Sequence, residues 1–186
     1  MSAKILFLYL FLGTNLIFSQ ANLVYVKNTE FIDFTILPTG NENVLPIDEA
    51  KENEMIDLIN ELRISHGLHA LIKEVDLVRA ARYHAADMAM EGYFKHHTLN
   101  RGKAGLKDEL GTFDRIRLFY RNKGFANSEN IALGRMDPKG AFSQWVNSSR
   151  HLENMLNENS THIGIGFYQK NDSEWGGYWV MDTAID

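Results

Sequence analysis

The order of the periodic patterns along the chain constrains the fold most. Helical spacing of apolar residues dominates from residue 48 to residue 156, and strand-like alternation follows mainly after residue 160. A doubly wound parallel sheet requires strands and helices that alternate along the chain, and this chain does not alternate them. The sequence therefore predicts an α+β domain in which helices are layered on both sides of a small sheet.

Four helices are predicted from apolar positions at i, i+3 and i+4, with capping residues at their ends. The fourth pattern slips near Ser148 and continues as a short helix. The predicted segments are Asp48 to Gly67, Leu77 to Gly92, Phe113 to Lys123 closed by Gly124, a helix from Asp137-Pro138, and the short helix from Arg150 to Leu156.

Three strands are predicted from β-branched and aromatic residues with two-residue alternation. The segment between the last two is rich in turn-forming residues, so these strands form a hairpin. The predicted strands are Ser128 to Leu133, Thr161 to Gln169 and Tyr178 to Ile185, with the turn at Asn171 to Gly177.

The N-terminus resembles a secretory signal peptide over residues 1–20. Lys4 precedes an almost wholly apolar stretch from Ile5 to Phe18, and small or polar residues follow it. An uncleaved membrane anchor is the alternative, although the stretch is short for a bilayer span. We expect a secreted protein, extracellular or periplasmic, with no membrane span once the signal is removed. Residues 21–47 are an extension, a linker or an edge strand, and 48–186 form the domain.

Composition excludes several functional classes. A formal net charge of −5 argues against a nucleic-acid partner, since phosphate binding requires clustered basic residues. The one basic run, Arg115 to Lys123, is interpreted as the solvated face of an amphipathic helix. Because the chain has no cysteine, disulfides, cysteine nucleophiles and thiolate metal sites are excluded.

Two histidine positions and one glutamate are candidates for a shared site. His96, with His97 beside it, follows the second helix, Glu129 begins a strand, and His151 lies in the first turn of the short helix. A helix N-terminus disfavours a charged imidazole, so His151 is expected to be neutral and able to bind metal. Spacing alone is weak support. The remaining histidines are interpreted as surface (His66, His69, His162) or as a core residue (His84).

Five local strings occur in an order that resembles the CAP family, also called the SCP family, in its disulfide-free bacterial branch. They run from about Asp48 to Asp186. They are Asn60, Arg63 and Gly67 of the first helix, ARYHAADMAMEGYFKHH, SENIAL, WVNSSRHLENML and THIGIGFY. The resemblance implies a three-layer α-β-α sandwich of the CAP/SCP type, with a small, mostly antiparallel sheet flanked by helices.

The resemblance also implies a His/Glu cleft. Its first histidine falls on His96, with His97 as the alternative, its glutamate on Glu129, and its second histidine on His151. Eukaryotic members of this family usually carry a second glutamate three residues after the tryptophan, where this chain has Ser148. The SENIAL string has Ser128 where glycine is usual. The expected cleft residues are therefore His96, Glu129, His151 and Ser148.

Three roles for this cleft follow. In the first, the protein is an extracellular binding or signalling module for a lipid, glycan or protein, and His96 and His151 hold a divalent metal. Zinc is the first choice because two imidazoles and an oxygen suit it. The alternative is a metal-dependent extracellular hydrolase, protease-like, with Glu129 as general base. In the third, the residues are only a hydrogen-bonded polar cluster.

Overall fold

The computed structural model describes residues 23–26, 30–102, 107–121 and 123–186. The predicted signal peptide at 1–20 lies outside the described residues. The elements are β1 (Leu23–Val26), β2 (Glu30–Asp33), α1 (Glu49–Ser65), β3 (Ile72–Lys73), α2 (Val75–Glu91), α3 (Thr112–Phe119), β4 (Phe125–Leu133), α4 (Pro138–Val146), α5 (Ser149–Met155), β5 (His162–Lys170) and β6 (Gly176–Ile185).

Local capping chemistry sets most helix boundaries where the sequence predicts them. The Asp48 side chain accepts a hydrogen bond from the Lys51 amide at the start of α1, and Asp137 caps α4 with Pro138 in its first turn. Gly92 ends α2 with φ of 68°, a left-handed conformation that favours glycine. These three predictions are confirmed.

The third helix is shorter than predicted, because α3 ends at Phe119 and not at Lys123. Gly124 is therefore not its cap. A side chain at Gly124 would clash with the backbone of Ile185, so the glycine lets the chain pass the end of β6 as β4 begins.

The sheet has four strands in the order β3-β5-β6-β4. The pairs β4–β6 and β5–β6 are antiparallel, as predicted, and β5–β6 is the expected hairpin. The two-residue strand β3, which runs parallel to β5, was not among the three predicted strands. Because β4 is at an edge of the sheet, its outer side is open to the loops and helices around it.

Helices cover both faces of the sheet, so the three-layer α-β-α prediction is confirmed. On one face, α1 and α4 pack on Ile163, Ile165, Trp179 and Met181. On the other, the alanines of α2 pack on Ile131, Tyr178 and Val180. Side chains at Gly164 and Gly166 would overlap the α2 backbone, and these two glycines let α2 lie close to β5.

Residues 31–47 join the α2 side of the domain. Ile32, Phe34 and Val44 are buried in the same cluster as Ile116 and Phe119 of α3. The ribbon β1–β2 forms a separate two-stranded sheet and does not extend the main one. Within the described ranges, no helix combines the length and the apolar character needed to cross a bilayer.

Candidate functional site

A polar cleft of about 400 Å³ lies along the edge strand β4, where α3 and the loop after α2 meet α5. It is lined by His96, His97, Thr112, Phe113, Asn127, Ser128, Glu129, Arg150, His151 and Asn154. The fold therefore brings His96, Glu129 and His151 together from three separate parts of the chain. Ser148 is half-buried at the start of α5 and is not among these lining residues.

A bulge in β4 determines which side chain faces the α2–α3 layer at this point. Ala126 pairs with Ala184 and Ser128 pairs with Thr183, so Asn127 is the extra residue. The bulge sets Glu129 opposite Asp182, the position that Ser128 would occupy in a regular ladder. Such bulges re-aim side chains at functional sites. Bulges leave little signal in a single sequence, and the prediction contained none.

Glu129 is buried, and both of its carboxylate oxygens have partners. Oε1 is 2.7 Å from Nδ1 of His96, and Oε2 accepts a hydrogen bond from the guanidinium of Arg115. Burial alone would raise the pKa of Glu129. The charge of Arg115 and the hydrogen bond from His96 outweigh burial and lower that pKa to about 2. Glu129 is thus an ionised acceptor at neutral pH.

Arg115 is the main site residue that the sequence analysis missed. The basic run containing it was interpreted as a solvated helix face, which is wrong for Arg115, whose side chain is fully buried. Its Nη1 donates to the carbonyl of His96 at 2.6 Å while its Nη2 holds Glu129. Burial opposes its charge, but the carboxyls of Glu129 and Asp182 raise its pKa. Arg115 therefore ties the loop at His96 to β4.

Asp182 of β6 is a second buried carboxyl beside Glu129, and it was also missed. It is fully buried and lies opposite Glu129 in the β4–β6 ladder. Burial first, and then the charge of Glu129, raise the pKa of Asp182 well above its ordinary value. Ser148 is the position where the family resemblance implied a second glutamate, and the second carboxyl next to Glu129 in this structure is that of Asp182.

The two adjacent histidines have different partners. His96 contacts Glu129, whereas His97 lies 3.7 Å from Glu109, and Glu109 also pairs with Lys107. The Glu129 carboxylate can accept only from a protonated Nδ1, so a neutral His96 ring has a free lone pair on Nε2. His96, and not His97, is therefore the histidine that Glu129 orients.

His151 is held at the cleft by two asparagines. Asn130 of β4 donates to the His151 carbonyl at 2.9 Å, and Asn154 donates to the Glu129 carbonyl at 3.1 Å. These bonds join α5 to the edge of β4. Burial first, then the charges of His96 and Arg150, lower the pKa of His151. The ring is half-buried, and its lowered pKa favours the neutral form that the sequence predicted, with burial rather than the helix N-terminus as the first cause.

The other predicted candidates lie elsewhere. His84 is fully buried, as predicted, and its Nε2 donates to the Lys95 carbonyl at 2.9 Å. Burial lowers the pKa of His84 to about 3, so it stays neutral. Among the aromatic residues near the cleft, Trp145 and Tyr93 are buried in the core, whereas Phe113 lines the cleft.

The donor set limits what metal the cleft could hold. Within the described parts of the chain, no group of three or more His, Asp or Glu side chains is arranged to hold a metal ion. His96 and His151 offer two imidazoles, and Glu129 is already bound by Arg115. Zinc sites use three or four protein ligands. The residues present therefore do not fit a resident zinc site of that kind.

Comparison with protein families places these features in context. The model of the cysteine-rich secretory protein family, CAP, matches residues 56–183. The chain is 34% identical over 129 residues to Bacillus subtilis YkwD, and this match covers 68% of this chain and 45% of YkwD. It is 32% identical over 131 residues to the B. subtilis membrane protein YlbC, covering 70% of this chain and 35% of YlbC. The chain thus matches less than half the length of either relative.

Solved structures share the fold. An extracellular SCP-domain protein from Bacillus anthracis is 26% identical with a TM-score of 0.61, covering 78% of this chain and 45% of that chain. An outer surface protein from Borrelia burgdorferi is 20% identical with a TM-score of 0.58, and the match covers 76% of this chain and 98% of that protein. A Staphylococcus aureus cysteine-rich secretory protein is 16% identical with a TM-score of 0.53, and the match covers 78% of this chain and 42% of that protein.

Proposed function

The chain belongs to the CAP family, and from that premise we propose that it is a secreted binding module whose cleft receives an anionic group of its ligand. Secretion is supported by the signal-like N-terminus and by the similarity to the extracellular SCP-domain protein of B. anthracis. The fold alone does not assign a ligand, because one fold serves many functions. The ligand chemistry is argued from the cleft.

The proposal is carried by the polar groups of the cleft that have no protein partner. Among the described residues, the Arg150 guanidinium and the His151 ring line the cleft without a hydrogen bond or ion pair. The one carboxylate in the lining, Glu129, has both oxygens occupied by Arg115 and His96. The cleft groups that remain available to a ligand are therefore mainly hydrogen-bond donors. A carboxylate or phosphate, which accepts hydrogen bonds, is the ligand group that suits them.

Repulsion within the cleft supports the same assignment. The charges of His96 and Arg150 both act against a proton on His151. An anion seated between these side chains would relieve that repulsion and accept hydrogen bonds from them. Glu109, the acidic side chain near His97, is balanced by Lys107 at 2.9 Å. It is thus a weaker obstacle to an anion than an unpaired carboxylate.

The hydrolase alternative is less well supported. A general base works best with a pKa near the operating pH. The pKa of Glu129, lowered to about 2 by Arg115 and His96 against the effect of burial, makes it a poor proton acceptor at neutral pH. Both oxygens would also have to release a partner before taking a proton from water. These points favour binding over catalysis at this cleft.

A labile divalent metal is the second candidate, favoured by the orientation of His96. Its Nδ1 contact with Glu129 is the arrangement that directs Nε2 of a histidine toward a metal. With His151 as the second imidazole, zinc would be held by two protein ligands and completed by water or ligand atoms. We expect such binding to be weak, and no step of the proposed function depends on it.

The test is titration of the protein with inorganic phosphate, followed by amide NMR shifts and calorimetry. Arg150→Ala should weaken phosphate binding roughly tenfold, the value of one charge-assisted hydrogen bond. Arg117→Ala is the matched control, because Arg117 is exposed on α3 but lines a neighbouring pocket and not the cleft. Its affinity should change less than about twofold.

Three results would argue against the proposal. The first is phosphate that shifts no cleft resonance, and the second is an equal loss of affinity in both arginine variants. The third is metal-dependent turnover of peptide or ester substrates that disappears in Glu129→Gln, which would favour the hydrolase. Zinc titrations of the wild type and of His151→Ala separate the metal candidate, since only metal binding through the imidazole disappears in the variant.

A further inference from the structure

Beneath the cleft, Glu129 and Asp182 form a pair of buried carboxyl groups. They face each other across strands β4 and β6, and both are almost wholly inaccessible. No N–H or O–H donor among the described residues reaches either oxygen of Asp182. Its cross-strand neighbour on β5 is Gly164, which has no side chain. Its partner across the ladder on β4 is Glu129, and residues directly opposite each other on one face of a sheet have neighbouring side chains.

Counting charges around this pair leaves one proton to be placed. Arg115 of α3 is the fully buried cation that contacts it, whereas His96, which contacts Glu129 from the cleft side, has a side chain that is 43% exposed and is not a buried counter-ion. His84 of α2 is neutral, because burial lowers its pKa to about 3. Tyr93, the other titratable neighbour of Arg115, is a neutral phenol that donates to Asp87. Two ionised carboxylates would therefore bury one uncompensated negative charge.

Such a charge is expensive in the protein interior. Two like charges in contact cannot both remain ionised there, and a buried ion without a counter-ion costs several kcal/mol. One proton between the two carboxyls removes the net charge. It also replaces a repulsive contact by an O–H···O⁻ hydrogen bond, which is among the stronger hydrogen bonds in proteins.

The partners of the two groups decide which one holds the proton. Glu129 accepts hydrogen bonds from Arg115 and His96, and both bonds favour its charged form. Asp182 has no donor, so its charged form would be left unsolvated. The pKa directions agree, since that of Asp182 is raised chiefly by burial and that of Glu129 is lowered by Arg115 and His96 against burial.

We propose that Asp182 is a positioning residue, kept as a neutral carboxylic acid that donates its hydrogen bond to Glu129 and so fixes Glu129 against His96. Asp182 touches no ligand and acts through Glu129. The protonated acid lies opposite Glu129, one of the residues that line the cleft. Asp182 keeps its proton whether or not the cleft binds an anion.

The decisive experiment is infrared spectroscopy of the wild type with isotope-labelled carboxyl groups. Burial also raises the pKa of Asp87, to about 6. The spectra are therefore recorded above that pH, where Asp87 is ionised and Asp182 should be the aspartic acid that still carries a proton. We expect a carboxylic-acid C=O band that shifts when the aspartate side chains carry ¹³C. The band should be absent in Asp182→Asn and unchanged in His151→Ala.

Two outcomes would overturn the proposal. Absence of any aspartic-acid band would mean that Asp182 is ionised. A band that shifts with ¹³C-glutamate, and that survives in Glu52→Gln, would put the proton on Glu129. The labelling is done on the wild type, so the experiment remains decisive even if a substitution at Asp182 prevents folding.

A pH profile of stability gives a second readout. A raised carboxyl pKa contributes stability that is complete below the unfolded value of 3.8 and is lost as pH rises through the folded pKa. Asp182→Asn removes this loss while its amide still offers a donor to Glu129. The variant should therefore gain stability relative to wild type as pH rises above 3.8, whereas Asp182→Ala should be destabilised throughout.

Discussion

The molecule contains two buried arginine–glutamate centres with the same composition, and they behave differently. Each has an arginine, a buried glutamate and a second acid nearby: Arg82 with Glu52 and Glu49, and Arg115 with Glu129 and Asp182. The side chain of Glu49 is 57% exposed, whereas Asp182 is fully buried. The first centre links α1 to α2, which lie on opposite faces of the sheet, and the second contains Glu129, which lines the cleft.

Exposure of the second acid explains the contrast. Water stabilises the charge of Glu49, and Lys73 lowers its pKa further, so the first centre needs no extra proton. Asp182 has neither water nor a second cation, and the second centre must therefore hold a proton. A buried ion pair by itself is a common structural feature. A buried pair with a surplus acid and an open side is the more specific mark of a site.

Exposure of the arginine also sets the direction of each glutamate pKa. Burial raises the pKa of Glu52, because Arg82 is 11% exposed and its attraction does not overcome the loss of solvation. Arg115 is fully enclosed, and its attraction, with the bond from His96, lowers the pKa of Glu129 despite burial. An enclosed charge pair interacts more strongly because water screens it less.

Removing each arginine tests this contrast and should give the largest effect. Arg115→Met leaves Glu129 and Asp182 without a cation, and we expect a loss of about 3–5 kcal/mol of unfolding free energy. Arg82→Met should cost about 1–3 kcal/mol, because Glu52 can take up a proton and keeps the hydrogen bond from the Phe167 amide. Urea unfolding at neutral pH measures both.

The ranking of the two arginine variants is the critical result. Equal losses would show that the enclosure of Arg115 has no energetic consequence. Loss of zinc or phosphate binding in Arg82→Met would contradict the assignment of that centre to structure alone, since Arg82 does not line the cleft.

The parts of the fold that the sequence predicted depend on local signals. Asp48, Gly92 and Pro138 mark helix ends through capping chemistry that involves residues only a few positions away. Alternation in β5 likewise predicted that Ile163, Ile165 and Phe167 share one face, and all three lie in the core. The family resemblance, based on the order of five local strings, then predicted that His96, Glu129 and His151 lie at one site. Their spacing in the sequence alone could not predict this.

The polar floor of the cleft depends on long-range contacts, and for that reason it was missed. Arg115 is one helical turn before Phe119, so helical phase puts it on the apolar face. Asp182 alternates in phase with Tyr178 and Val180 of β6. These two phases were the signals in the sequence that Arg115 and Asp182 point into the protein. That Asp182 lies opposite Glu129 depends on the bulge at Asn127, which sets the register of β4 and β6, and no local pattern predicts that bulge.

The pH dependence of stability should have opposite signs at the two glutamates. The lowered pKa of Glu129 contributes stability that is present above 4.5 and is lost as pH falls through about 2. The raised pKa of Glu52 contributes stability that is present below 4.5 and is lost as pH rises through its folded value. The free energy of unfolding is measured against pH for the wild type, Glu129→Gln and Glu52→Gln. The difference between the wild type and each variant gives the pH-dependent contribution lost with that glutamate.

We expect the Glu129→Gln difference to shrink by ~2 kcal/mol as pH falls through that window. Ionisation of Asp182 beside Arg115 should limit the loss in this variant at neutral pH. Differences of the same sign for the two variants would refute the explanation based on arginine exposure, because both carboxylates would then respond to burial alone.

The smallest effect is expected at the second acid of the first centre. Glu49→Gln removes an exposed carboxylate that lies 3.9 Å from Arg82 and 3.1 Å from Lys73. Exposed pairs of this kind are screened by water and salt, so the urea midpoint should not change measurably. Asp182→Asn, the corresponding substitution at the second centre, should change the pH profile of stability. A shift for Glu49→Gln as large as that for Asp182→Asn would mean that proximity to an arginine, and not burial of the second acid, separates the two centres.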